Sequence, residues 1–165
     1  MATAYIGLGS NLAEPAKQIQ LAVDAIGTVA QSRISAVSSL YFSRPMGPQD
    51  QPDYMNAVLA LETELTPLAL LDALQAIEQQ AGRVRKGNRW GPRILDLDII
   101  LYDAQVINSE RLIIPHYGMT EREFVLLPLA EIAPQLSLPS GELVSDLSKA
   151  IATNGLKIYG KLQLN

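Results

Sequence analysis

Ile19, Ala22, Val23 and Ile26 recur at the spacing of one helix face, with Pro15 suited to the first turn and Gly27 closing the segment. A second apolar stripe, Leu70, Leu71, Leu74 and Ile77, follows Thr66 as N-cap and Pro67 at the first helical position, with Gly82 as the stop. Elsewhere the pattern is that of strands. "TAYIGLGS" at the start reads as a short strand before the first helix. "SRISAVSSLYFS" is rich in β-branched and aromatic residues, and "DYMNAVLALETEL" alternates so that Met55, Ala57, Leu59 and Leu61 share one face. "RWGPRILDLDIILYD" forms the last strong strand, and "SRPMGPQDQP", with three prolines and a glycine, a surface loop.

This order, β-α-β-β-α-β, predicts an α+β, ferredoxin-like sandwich: one antiparallel sheet with helices on one face, its other face free to carry a site. After Ala104 come short strand pieces ("AQVIN", "RLIIP"), a proline-interrupted stretch suited only to short helices, and the tail of a C-terminal extension, residues 148–165, with no assigned role. No repeat or linker divides the chain, so residues 1–165 are expected to form a single domain.

Composition narrows the chemistry. The 165 residues suffice for a sizeable core, and the absence of cysteine excludes disulfides and thiolate chemistry, in keeping with a reducing, cytoplasmic home. Neither a leader-like N-terminus nor a membrane-length apolar run is found. A net charge of −4 argues against nucleic-acid or membrane partners. Against this acidic background "GRVRKGNRWGPR" carries five basic residues, Arg83, Arg85, Lys86, Arg89 and Arg93, and no acid, which implies a local anion site.

Asp96 and Asp98 are the anomaly of the last strand. Side chains at i and i+2 share a face, so the two carboxylates converge while Leu95, Leu97 and Ile99 point toward the helices. Two compensations are open: salt bridges to arginines, or a hard cation such as Mg²⁺, which takes one or two carboxylates and completes its shell with water and phosphate. The basic loop favours the second, because carboxylates for a metal beside arginines for phosphate is the division of labour of phosphoryl transfer. Tyr54 and Asn56 share a face on the side of the aspartates and could bind a flat heterocycle, although polar residues on an exposed strand face need no ligand. His116, the lone histidine, reads as a structural hydrogen-bonder rather than a catalyst, and Trp90 equally as packing or as a stacking lid. The Gly-x-Gly of "GLGSNL" lacks the rest of the dinucleotide motif and is read as a tight strand-to-helix turn.

"RWGPRILDLDII" resembles the signature of the 6-hydroxymethyl-7,8-dihydropterin pyrophosphokinases of folate biosynthesis. "AYIGLGSNL", "YFSRPMGPQDQPDYMNAV", "GRVRKGNRWGPR" and "IPHYGMTEREFVLLPLAEIAP" support it in family order, from about Tyr5 to about Leu147. The resemblance implies transfer of pyrophosphate from ATP to the pterin hydroxymethyl group, releasing AMP. It implies two Mg²⁺ ions on Asp96 and Asp98, with Arg83 and Arg93 in the catalytic set. It places the pterin between Tyr54 and Phe124, with Ser43, Pro45, Met46, Asn56 and Trp90 around it. ATP would be held by Gln75, Glu78, Arg85, Lys86, Trp90, Arg93, Ile99, Arg111, His116, Tyr117 and Arg122. A monomer is expected. A rival reading, an RNA-binding sheet of the same topology, needs the Arg/Lys-Gly-aromatic-Gly-aromatic motif, which the chain lacks. An inactive relative is disfavoured because every signature position is filled.

Overall fold

A computed structural model of the protein describes residues 1–11, 14–43, 54–84 and 95–164, the side chains of 82–84 excepted. The first seven elements are β1 (Ala2–Ser10), α1 (Pro15–Ile26), β2 (Ser32–Val37), β3 (Ser39–Ser43), β4 (Tyr54–Thr63), α2 (Pro67–Val84) and β5 (Leu95–Tyr102). The segment read as one strand is thus two. They divide at Ser38, a buried residue whose N–H donates to the Val58 carbonyl and whose Oγ accepts from the Val58 N–H, both at 2.9 Å. Both strands pair with β4.

Both helices start as their sequences predict. Pro15 opens α1 and Gly27 caps it, and the Ala69 N–H donates to Thr66 Oγ1 at the start of α2. Gly82 does not stop α2, which continues to Val84. A glycine inside a helix costs about 1 kcal/mol relative to alanine, which weakens a helix without ending it.

The sheet runs β5-β1-β4-β3, every neighbouring pair antiparallel, which is the ferredoxin-like arrangement. Strand alternation sorts the side chains. Ala4, Ile6, Leu8, Met55, Ala57, Leu59, Leu61, Leu97 and Ile99 pack with Ile19, Val23, Ile26, Leu70 and Leu74 of α1 and α2. Each large aliphatic side chain buried there contributes about 1.5–3 kcal/mol of transfer free energy.

The C-terminal extension partly covers the opposite face. After the short strands β6 (Ile107–Asn108) and β7 (Ile113–Ile114) come α3 (Glu123–Ile132), α4 (Val144–Ala150) and the strand β8 (Lys157–Lys161). Val125, Leu126 and Leu129 of α3 pack on Val58, Ile100 and Leu101. A bulge between Tyr5 and Ile6 makes Ile100 an extra residue in β5, so that consecutive residues, Ile100 and Leu101, both join this second cluster. The helix passes through Pro128 as one ten-residue element. The tail, which carried no expectation, adds β8 to the sheet beside β3 and is tied to α1 where Gln20 and the Gln163 backbone exchange two hydrogen bonds of 2.9 Å. Among the described residues no helix is long and apolar enough to cross a membrane.

Candidate active site

The described residues leave uncovered the part of the second face nearest the end of β1 and the start of β5, and there the strand registers gather predicted residues. Asp96 lies opposite Gly9 on one side of β1, and Asn56 lies opposite the same glycine on the other. Asp98 lies opposite Gly7. The Gly-x-Gly therefore sits inside β1 and not in a turn: its two glycines form the floor between the carboxylates and the amide. A β-carbon on Gly7 would come to 3.0 Å from Ile100 Cδ1, and one on Gly9 to 3.0 Å from Asn56 Oδ1. Tyr54, two residues before Asn56, shares its face and stands opposite Ser43, and Asn56 Nδ2 donates to Ser43 Oγ at 3.3 Å.

The electrostatics of this face are those of crowded anions. The Asp96 carboxylate is pushed above its ordinary range by the protein packed around it and by Asp98, an effect that Arg122 opposes. Glu78, half-buried on α2, is raised mainly by burial and further by both aspartates, against the lowering effect of the Leu97 N–H, which it accepts at 2.7 Å. This bond forms because β5 is the sheet edge, which leaves its outer backbone groups for side chains of α2. Burial, and then Asp96, also raise Tyr54. Asp96 and Asp98 crowd like charge on one face of β5, and Arg122 is a cation that offsets Asp96. Among the described residues no three His, Cys, Asp or Glu groups could hold one metal together. Two carboxylates on one strand face are a donor pair of the kind that Mg²⁺ takes while completing its shell with water and phosphate oxygens.

Around the edge of β5 a cleft of about 310 Å³ opens between α2, β5 and the β6–β7 pair. Its walls include Gln75, Glu78, Asp98, Ile99, Arg111, His116 and Tyr117. Arg111 bridges from the β6–β7 side to α2, where it pairs with Asp72 and donates to Gln75 Oε1. The His116 N–H donates to the Ile100 carbonyl, which seats the imidazole beside Asp98, Nε2 to Oδ2 3.8 Å. His116 Nδ1 accepts the Gly118 N–H at 3.2 Å, so the neutral ring carries its proton on Nε2, on the Asp98 side. Burial favours that neutral form: it lowers the pKa most, Asp98 pulls it back up, and Arg122 lowers it further. A separate cleft of about 400 Å³ lies beyond His116 and Tyr117, toward Leu138 and Glu142, and contains neither aspartate.

Arg122 joins the two parts of the site. Its guanidinium lies 5.6 Å from the Tyr117 ring centroid and 5.8 Å from that of Phe124, within cation–π range of both. Tyr117 in turn stacks on His116, centroids 4.8 Å apart. Pro45, Met46, Arg85, Lys86, Trp90 and Arg93 lie outside the described residues, as does the side chain of Arg83. Sequence reasoning missed Leu71, Leu97, Glu110, Leu112 and Ile113 as cleft walls. Periodicity marks Leu71 and Leu97 only as core, and it carries no signal for which core residues border an edge.

Fold and site together define an α+β protein with an acidic, aromatic-flanked cleft on a half-open antiparallel sheet. Residues 5–134 match the family model described as 7,8-dihydro-6-hydroxymethylpterin-pyrophosphokinase (HPPK). The 2-amino-4-hydroxy-6-hydroxymethyldihydropteridine pyrophosphokinase of Haemophilus influenzae is 55% identical over 152 residues, 92% of this chain and 94% of that protein. Its counterpart in Pseudomonas aeruginosa is 54% identical over 153 residues, with 93% and 94% covered. The chain belongs to the 7,8-dihydro-6-hydroxymethylpterin-pyrophosphokinase family. Its fold is similar to that in the crystal structure of wild-type Plasmodium falciparum HPPK-DHPS with pterin and p-hydroxybenzoate, at a TM-score of 0.71 and 16% identity over 90% of this chain. This chain spans 41% of the longer Plasmodium chain.

Proposed function

We propose that the pyrophosphokinase reaction of this family takes place in this chain on the open sheet face between Asp96, Asp98 and Asn56. In that reaction the hydroxymethyl oxygen of 6-hydroxymethyl-7,8-dihydropterin attacks the β-phosphorus of ATP. The bond to the bridging α,β oxygen breaks, AMP leaves, the hydroxyl proton is released to water, and the pterin diphosphate remains. The observation that carries the placement is the row Asp96–Gly9–Asn56 across three strands, which brings metal-type carboxylates and a heterocycle-type amide onto one face.

Each described residue has a role that its surroundings support. Tyr54 and Phe124 offer rings for the flat pterin, while Asn56 and Ser43 offer donors and acceptors for its edge. Gln75, Glu78, Ile99, Arg111, His116 and Tyr117 line the adjoining cleft, the side from which ATP approaches Asp98. Arg122, stacked between Tyr117 and Phe124, sits where the two substrates meet and offsets phosphate charge. Asp96 and Asp98 would hold Mg²⁺, two ions in our reading, whose chemistry when bound is to polarise phosphoryl oxygens and neutralise their charge. The remaining work of these residues is positioning, which dominates phosphoryl transfer because the protein forms no covalent intermediate. Arg83, Arg85, Lys86, Trp90 and Arg93 of the basic loop, with Pro45 and Met46, complete this assignment from the sequence alone.

The test is AMP formation from ATP and Mg²⁺. It is expected only when 6-hydroxymethyl-dihydropterin is added, and tight ATP binding with no pterin-dependent AMP would overturn the reading.

A further inference from the structure

The segment "PLAEIAP" belongs to α3 and its C-terminal end, and Glu131 within it reaches across to β3. One oxygen of its carboxylate accepts the Tyr41 hydroxyl at 2.7 Å and the other the Ser39 hydroxyl at 2.8 Å, while the Ser39 N–H donates to both at 3.0 and 3.1 Å. A solvent-exposed carboxylate on a helix rarely gathers so many donors from one strand, since holding it in place costs side-chain entropy.

Tyr41 is the connection to the site. In the β3–β4 ladder it stands directly opposite Asn56, and Ser43, two residues on, stands opposite Tyr54. Directly opposite side chains on one face lie about 5 Å apart at Cβ, which makes Tyr41 the cross-strand neighbour of Asn56 on β3. Both are nearly closed to solvent, Tyr41 at 8% and Asn56 at 6% exposure, and Asn56 makes its bond to Ser43 from this position. The Tyr41 hydroxyl remains a donor at all working pH, because burial and Glu131 raise its pKa.

We infer that Glu131 is a positioning residue for the pterin end of the site, acting through Tyr41. By holding the Tyr41 hydroxyl and the start of β3 against α3, it fixes the wall behind Asn56 and Ser43. The ATP cleft, on the far side of β5, does not share this wall. The inference rests on the reading that the pterin occupies the Tyr54–Asn56 face.

Steady-state kinetics with each substrate varied, on Glu131→Ala and Tyr41→Phe, tests it. Loss of one or two such hydrogen bonds should raise the KM for the pterin about five-fold, with kcat and the KM for ATP changed by less than about two-fold. Because both variants break one route, the double variant should match the worse single variant rather than compound the two. A purely structural role would lower the unfolding midpoint and leave the ratio of the two KM values unchanged. An unchanged pterin KM in both variants, or an equal rise in both KM values, overturns the inference. Tyr54→Ala separates the two levels. A raised pterin KM in Tyr54→Ala without one in the Glu131 and Tyr41 variants removes the inference alone. No change in Tyr54→Ala removes the reading of the face on which it rests.

Discussion

Gly9 stands directly across the β1–β4 ladder from Asn56, so close that a β-carbon on it would lie 3.0 Å from the Asn56 Oδ1. The glycine is needed for space, not for backbone freedom, since it sits inside a regular strand. Gly9→Ala should push the amide away from Ser43 and raise the pterin KM by about ten-fold, the effect of one to two lost or misplaced hydrogen bonds. Varying the pterin at saturating ATP measures it. A pterin KM equal to that of the parent would show that Asn56 does not read the substrate.

Asp96 and Asp98 are repulsive toward each other and toward Glu78, so their convergence on one face opposes folding. Asp98→Asn should reduce kcat by at least about 100-fold, on the scale of removing one electrostatic stabiliser. The same substitution should leave the thermal midpoint in EDTA equal or higher, because a like-charge neighbour has gone. Adding Mg²⁺ with a non-hydrolysable ATP analogue should then raise the midpoint of the parent more than that of the variant. Equal stabilisation of both proteins would separate Asp98 from the metal.

Gly118 and Arg122 are in contact in a way that only glycine allows. A β-carbon at Gly118 would meet Arg122 Nε at 2.8 Å and Cζ at 3.0 Å. Since the guanidinium is the far end of a flexible chain, Gly118→Ala should displace it from the Tyr117 and Phe124 rings without unfolding the protein. Two cation–π contacts of about 0.5–1 kcal/mol each would be lost, so kcat/KM should fall by about five- to thirty-fold. A crystal structure of the variant with Arg122 unmoved and activity intact would refute this.

Tyr41 gives a pH signature of the α3–β3 clamp. Its pKa in the folded protein lies above the ordinary 10.0, first through burial and then through the bond to Glu131. Above pH 10.0 the unfolded chain therefore holds fewer protons than the folded one, and stability falls as pH rises. Below that pH the contribution is fully present. Urea midpoints followed across pH 10.0 should decline in the parent and decline less steeply in Tyr41→Phe. Some slope will remain, because burial also raises Tyr5, Tyr54 and Tyr102. Identical slopes in the two proteins would contradict the assignment.

Much of this is written in local pattern. Thr66 and Pro67 mark the start of α2, alternation from Tyr54 to Thr63 separates core from site, and the i, i+2 spacing puts Asp96 and Asp98 on one face, because strand geometry is periodic whatever surrounds it. Where local signals were weak, the reading failed. Gly82 lies inside α2 instead of ending it, and Gly7 and Gly9 lie inside β1 instead of in a turn, since a glycine's local freedom does not reveal the partner that will pack against it.

The sequence by itself thus determined the order of the elements from β1 to β5, apart from the division at Ser38, the faces of β4 and β5, and the chemical kinds of group available to the site. Only the tertiary structure decided which of these meet. It set Gly9 between Asp96 and Asn56, folded Glu78 around the sheet edge to Leu97, placed Arg122 between Tyr117 and Phe124, and ran Glu131 to Tyr41 across ninety positions of chain. Such pairings depend on register and on helix placement, which arise from the burial of the whole core and leave no periodic trace in any one segment.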